Sequence, residues 1–207
     1  MSASLVGSEM CIRDRHNMTK ALFFDIDGTL VSFETHAIPA STIEALTIAH
    51  EKGIKIFIAT GRPKAIINNL ADIQDRGLID GYITMNGAYC FVGDEVIYKS
   101  AIPAGEVRAL AQVCEQKGYP CIFVGEHTIS VCQPNKLVHD IFYDFLHVDE
   151  IPVKTFEEAV QEEIFQMTPF VTVEEETEIQ PQIPNCESGR WFPAFADITA
   201  KGNTKQK

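Results

Sequence analysis

The sequence predicts an α/β fold, a doubly wound parallel sheet, and three observations carry that prediction. Apolar runs closed by glycine turns alternate with segments of helical periodicity from Met18 onward. Polar residues suited to binding, Asp25 and Asp27, then Thr60, then Asn86, recur at the carboxyl ends of successive strand-like runs. Those ends form the edge where open parallel sheets hold their ligands. The composition, 45% apolar and 22% charged over 207 residues, is that of a folded chain with one sizeable core, or a core and a smaller lobe.

The elements follow in order. "KALFFDIDG", closed by Gly28, reads as a parallel strand buried on both faces. In "ASTIEALTIAHEKG", Ser41 and Glu44 have capping-box spacing, Ile43, Leu46 and Ala49 share roughly one face, and Gly53 is a stop, so a helix is expected. "IKIFIATGR" repeats the buried-strand pattern and ends in Thr60, Gly61 and Arg62; "PKAIINNLADIQ" then opens a second helix at Pro63. "DGYITMNGA" supplies a third strand, ending at Asn86 and Gly87. Strands separated by helices in this way are joined by right-handed crossovers and lie parallel.

Farther along, "AGEVRALAQVCEQKG" reads as a helix and "YPCIFVGEHTISVCQP" as two strands joined by a glycine-containing turn. "EIFQMTPFVTV" reads as a strand and "EEETEIQ" as an acidic helix. Pro181 and Pro184 break the chain before "GRWFPAFADI", which is expected to return to the first sheet. The opening "MSASLVGSEMCIRDRHN" has neither periodicity nor the apolar stretch of a secretory signal, and it resembles translated adapter sequence. Met18 is therefore the expected start, with residues 1–17 a non-native or disordered leader.

Charge narrows the partners. A net charge of −12 argues against nucleic acid and anionic membrane surfaces, which select clustered Lys and Arg. No apolar run approaches the ~18 residues of a membrane span. The six cysteines are scattered, with no C-x-x-C pair, and read as reduced thiols of a cytoplasmic protein.

The paired aspartates carry the chemistry. Residues i and i+2 of an extended segment point the same way, so Asp25 and Asp27 can face one ligand. Two close carboxylates repel unless a cation compensates, so a metal is implied. An EF-hand loop is excluded, since Gly28 is fourth where the sixth position needs glycine, and His36 is twelfth where glutamate closes the loop. The Asp-x-Asp metal site of nucleotide-sugar glycosyltransferases accounts for the acids but not for the Gly-Thr that follows. The plainer alternative, that Asp, Thr, Asn and Gly are only turn formers, is strongest for Asn86-Gly87 and weakest for the aspartate pair.

"FFDIDGTL" resembles the first motif of the haloacid dehalogenase-like (HAD) phosphohydrolases, and "IFIATGRP" their second. "ITMNGA" and "ADITAKGNTK" extend the resemblance to the Cof-type (IIB) subgroup, largely sugar-phosphate phosphatases. The resemblance spans Met18 to Lys207 and implies a Rossmannoid catalytic core, 18–100 with 191–207, and an α/β cap domain at 101–190.

It implies Asp25 as a nucleophile forming an aspartyl-phosphate, and Asp27 as general acid and base. Thr60 would donate to a phosphoryl oxygen, and Lys205 would offset charge, ranked ahead of Lys201 and Lys207 by the register of "GNTK". Gly61, Arg62, Asn86 and Gly87 would contact the substrate, a small phosphate ester. Mg2+ would bind the Asp25 side chain and the Asp27 carbonyl. Members carry a further Gly-Asp-x-x-Asn-Asp motif after the lysine, whereas the "GDE" at 93–95 lies elsewhere. The expectation is therefore of a C-terminally truncated phosphatase that is itself essentially inactive; a phosphosugar mutase and an inactive binding module are the alternatives.

His127, His139 and Glu174 to Glu176 read as surface or packing groups. Trp191 reads as core or hinge packing, or as a sugar platform.

Overall fold

The computed structural model describes residues 20–32 and 34–205. The expected leader, the expected start at Met18, Cys11 and Lys207 lie outside the described residues. Two five-stranded sheets organise the chain.

The first sheet has the order β1-β2-β3-β4-β5, formed by β1 (Ala21–Phe24), β2 (Lys55–Ala59), β3 (Gly81–Thr84), β4 (Tyr89–Val92) and β5 (Glu95–Lys99). The first three strands are parallel, and β4 and β5 add an antiparallel hairpin. This is an α/β Rossmannoid core, as the alternating pattern predicted. The "GDE" at 93–95 turns that hairpin, with Gly93 at φ 56°.

Three local expectations need correction. β1 is not buried on both faces: among the described strands it pairs only with β2, leaving Leu22 and Phe23 40% and 56% exposed. Its apolar run has a neighbour on one side, and Phe23 stacks on Phe57 at 4.9 Å. The helix α1 (Ala40–Glu51) already contains Ser41 in its first turn, so Ser41 is not the cap; the N-cap is Pro39, with no side-chain cap bond. The stretch from Pro63 forms a 3-10 turn, Lys64–Ile66, and a short helix α2 (Ala71–Gln74) rather than one continuous helix. Ile66, Leu70 and Ile73 still reach the core, so the break redirects the chain without losing its apolar anchors.

The second sheet, order β7-β6-β8-β10-β9, comprises β6 (Cys121–Val124), β7 (Ile129–Cys132), β8 (Gln166–Pro169), β9 (Cys186–Phe192) and β10 (Phe195–Ala200). One face packs on α3 (Ala104–Lys117) through Phe123, Met167, Ala196 and Ile198. The alternate residues Ile122, Val124 and Phe195 face a separate cluster that includes Met85, Tyr89 and Phe91 of the first sheet region. Residues 191–200 therefore belong to the second sheet, not to the first as expected from the order of motifs. The "GRWFPAFADIT" segment pairs across its own hairpin and, through Ile198 and Thr199, with β8, and the crossing back follows Ala200.

Helix starts are secured where polar caps exist. Thr155 and Thr172 each form a capping box, with Glu158 and Glu175, opening Phe156–Ala159 and the acidic helix Val173–Ile179. Buried Glu106 on α3 accepts from Asn185 N and from Asn185 Nδ2 at 2.6 Å, tying the Pro184 turn to the helix. Cys114, Cys121, Cys132 and Cys186 are buried free thiols, and burial pushes Cys132 and Cys186 up to about 12. Among the described residues, no helix is long and apolar enough to cross a membrane.

One buried carboxylate sets a pH-dependent stability. Burial raises Asp197 on β10 from 3.8 to about 6, against hydrogen bonds from Thr168 and Trp191 that lower it. The folded protein thus keeps a proton that the unfolded chain releases between about pH 4 and 6, so this group's contribution weakens as pH rises through that window and is constant above it. Asp197→Asn keeps an acceptor and a donor in place and removes the charge. It is expected to stabilise the protein by ~1–3 kcal/mol at pH 7.5, with the gain shrinking toward pH 4. Urea unfolding at both pH values checks this; equal destabilisation at both would show that the charge-assisted bonds outweigh burial.

Candidate active site

The loop after β1 brings the two carboxylates to one place. The strand stops at Phe24, and Leu30 N and Val31 N fold back onto Ile26 O at 3.1 and 2.9 Å. Ile26 is fully buried between the aspartates. Its inward side chain leaves Asp25 and Asp27 lining the same cavity of about 380 Å³ although the strand does not continue.

Thr60, at the end of β2, is buried against this cavity, and its Oγ1 accepts from Arg62 N at 3.1 Å. That bond leaves its own hydroxyl proton to donate. After β3 the chain turns through three left-handed residues, Met85, Asn86 and Gly87. Asn86 N donates to Thr60 O at 3.2 Å, so the turns after β2 and β3 are fastened together. The Asn86 side chain lies against Gly61, where an added Cβ would sit 3.1 Å from Oδ1, and it also approaches Gly189 of β9.

Lys205 completes the group. Its Nζ donates to Asp25 Oδ2 at 2.8 Å across 180 residues of sequence. Two contacts hold the loop that carries it. Asn203 is buried, donates to Ser100 O and accepts from Tyr98 Oη. Gly87, at φ 94°, backs onto Thr204 so closely that a Cβ would fall 2.2 Å from the Thr204 carbonyl oxygen. Lys201, the rival among the described residues, instead donates to Pro184 O.

Two expected substrate contacts have other occupations. The Arg62 guanidinium grips Asp27 through Nε and Nη2, both at 2.8 Å, and donates to Ile66 O through Nη1. It is only 7% exposed, so it acts on Asp27 and not as a free anion-binding fork. Gly87 supports the Lys205 loop, as described. Phe145, Gly189, Arg190 and Phe192 line the same cavity from the second sheet region. No sequence signal marked them, because nothing local relates them to Asp25. Trp191 lines the cavity too.

A second cavity of about 210 Å³ shares Asp27, Arg62, Phe145 and Trp191 and adds His36, Asn68, Asn69 and His147. Asn68 Nδ2 donates to His147 O at 2.7 Å.

Mg2+ is the metal implied for such a site. The Asp25 carboxylate is 41% exposed at the cavity, whereas both oxygens of the Asp27 carboxylate are engaged by Arg62, so Asp27 would contribute its main-chain carbonyl. Among the described residues, the one group of three or more acidic, His or Cys side chains close enough to share an ion is His139, Asp140 and Asp144, elsewhere in the fold. A carboxylate and a carbonyl suit Mg2+, which keeps several waters and takes oxygens from a phosphate.

Comparison with known proteins agrees with this arrangement. Residues 22–207 match the haloacid dehalogenase-like hydrolase family. The chain is 76% identical to the solved HAD subclass IIB sugar phosphatase BT4131, covering 91% of this chain and 73% of that one with a TM-score of 0.87. BT1666 of Bacteroides thetaiotaomicron, described among HAD phosphatases, is 33% identical, with 99% and 72% covered and a TM-score of 0.76. "Putative phosphatase YkrA" of Bacillus subtilis is 28% identical over 192 residues, 90% of this chain and 70% of its own length. With Asp25, Thr60 and Lys205 gathered at one cavity and the family matched along nearly the whole chain, this protein belongs to the haloacid dehalogenase-like hydrolases and is a phosphatase of that family.

Proposed function

We propose that the site hydrolyses small sugar phosphates through an aspartyl-phosphate on Asp25, with Mg2+ as cofactor. The observation that carries this reading is the Lys205 Nζ to Asp25 Oδ2 contact, which sets one cation beside one half-exposed carboxylate at a cavity edged by Thr60 and Asn86.

Each residue has a defined task. Asp25 attacks phosphorus; Lys205 draws charge from the phosphoryl oxygens and keeps the carboxylate oriented. Thr60 donates its free hydroxyl proton to a phosphoryl oxygen, and Asn86 bounds the cavity beside it. Asp27 passes a proton to the leaving alcohol and then takes one from water. Arg62 holds both Asp27 oxygens in a two-point clamp, which the carboxyl must leave, taking up a proton, before it can protonate the leaving alcohol. Bound Mg2+ would supply charge neutralisation at the phosphoryl group. The second sheet with its helices, residues 101 to about 200, serves as the cap that surrounds the leaving group and excludes water.

Support for a polyhydroxyl leaving group comes from the adjoining cavity. Asn69 lines it, and its Oδ1 is a buried acceptor with no hydrogen-bond partner among the described residues. His36, Asn68 and His147 add polar atoms around it.

The test is phosphate release from a panel of hexose phosphates, an aryl phosphate and a hexose bisphosphate, with and without Mg2+. Mg2+-dependent release from hexose phosphates is the expected result. Transfer of phosphate within the sugar without release would instead make the protein a mutase.

A further inference from the structure

Trp191 is the chain's single tryptophan and is 48% exposed, so it is not core packing. It stands on β9 at the wall common to both cavities. One edge of the ring is anchored: indole Nε1 donates to Asp197 Oδ2 at 3.1 Å, and the ring meets Phe195 edge-on at 5.0 Å. Asp197 is itself buried, 4% exposed, and its Oδ1 accepts from Thr168 Oγ1 at 2.8 Å. Behind Thr168 stands Gln166, also buried, whose Nε2 donates to Thr168 Oγ1 at 3.4 Å. A chain of buried polar side chains on one face of the second sheet thus ends on the one indole that borders the site.

Burying a carboxylate is unfavourable unless its partners compensate, and apolar residues of similar size would pack there at lower cost. What this one does is fix the plane of an aromatic ring. Because the indole N–H is committed inward, the exposed part of the ring offers a ligand only its apolar π-face and edge. Such a surface fits the C–H face of a sugar ring and is indifferent to individual hydroxyls.

We propose that Trp191 is the specificity-determining platform for the leaving group, taking a pyranose ring in preference to an open-chain or small ester, and that Asp197 is the residue that positions it. The proposal rests on the sugar-phosphate reading above. It assigns Asp197 no contact with substrate.

Tryptophan emission reads this position alone. The 207-residue protein is titrated with glucose 6-phosphate, glucitol 6-phosphate and inorganic phosphate, with binding constants measured by calorimetry in parallel. Glucose 6-phosphate is expected to bind more tightly than glucitol 6-phosphate, and to change the emission saturably at its calorimetric constant, whereas inorganic phosphate leaves the emission unaltered. Trp191→Ala should weaken glucose 6-phosphate about tenfold while changing inorganic phosphate less than about twofold. Asp197→Ala should approach that loss, and Asp197→Asn, which retains an acceptor for the indole, should restore affinity. Trp191→Phe, which keeps a ring without the N–H, should lose affinity even if Asp197→Ala does not fold.

Tighter binding of glucose 6-phosphate than of phosphate, with unaltered emission or with no loss in Trp191→Ala, overturns the platform alone. Glucose 6-phosphate binding no more tightly than phosphate, or no binding by any of the three, overturns the sugar-phosphate reading and the platform with it.

Discussion

Asp25→Asn is expected to lower turnover of every phosphate ester by on the order of 10⁴-fold or more and to abolish the phosphoenzyme, because an amide cannot attack phosphorus as the carboxylate does. The substitution is nearly isosteric. The introduced amide oxygen still accepts from Lys205, so the cavity should keep its shape and its affinity for inorganic phosphate. Asp27→Asn separates the two roles. It leaves the nucleophile intact, so an aryl phosphate, whose leaving group departs without protonation, should still label the protein, while hexose phosphates should not. Rapid-quench labelling of both variants decides it. Label retained by Asp25→Asn in the amount seen for the parent would remove Asp25 from the nucleophile's place, and loss of fold in circular dichroism would be seen independently of either outcome.

Gly87→Ala is expected to produce the largest loss from a residue that touches no ligand. At φ 94° the backbone already disfavours a side chain, and the new Cβ would stand 2.2 Å from Thr204 O and 2.7 Å from Thr204 C. Backbone atoms cannot rotate aside, so the 203–205 loop must shift, and with it Lys205 from Asp25 Oδ2. The expected cost is ~2 kcal/mol or more in stability, with turnover falling to about the level of Lys205→Met. Gly93→Ala is the control. It also has positive φ, 56°, but meets nothing within 4 Å, so it should lose only ~1 kcal/mol and retain activity. Equal behaviour of the two variants in thermal unfolding and phosphate release would mean that backbone strain, and not the collision with Thr204, governs both.

How much of the site was legible depends on how each residue is related to its neighbours. Asp25 and Asp27 were readable because both lie on one short turn, and their spacing and the following Gly-Thr are local properties. Thr60 and Asn86 were readable as polar groups at strand ends, since a parallel sheet delivers its carboxyl ends to one edge whatever the details. Arg62 was legible as a site residue but not in its occupation. The bidentate clamp on Asp27 joins residues 35 apart in sequence, and no spacing rule encodes it.

Local sequence was enough for the alternation of strands and helices, the α/β class, the two carboxylates and the motif that carries Lys205, because each depends on periodicity or on a short stretch of chain. Packing settled the rest. The unpaired edge of β1 could not be read from "ALFF", since an apolar run looks the same at a sheet's edge and in its middle, and only strand order distinguishes them. Nor could the membership of residues 191–200 in the second sheet, since a strand's partners are set by long-range backbone pairing and not by its own residues. The seat of Thr204 on Gly87 and the contact of Lys205 with Asp25 depend on distances between segments far apart in the chain. Those distances exist only once the loop after Ala200 has packed against the first sheet.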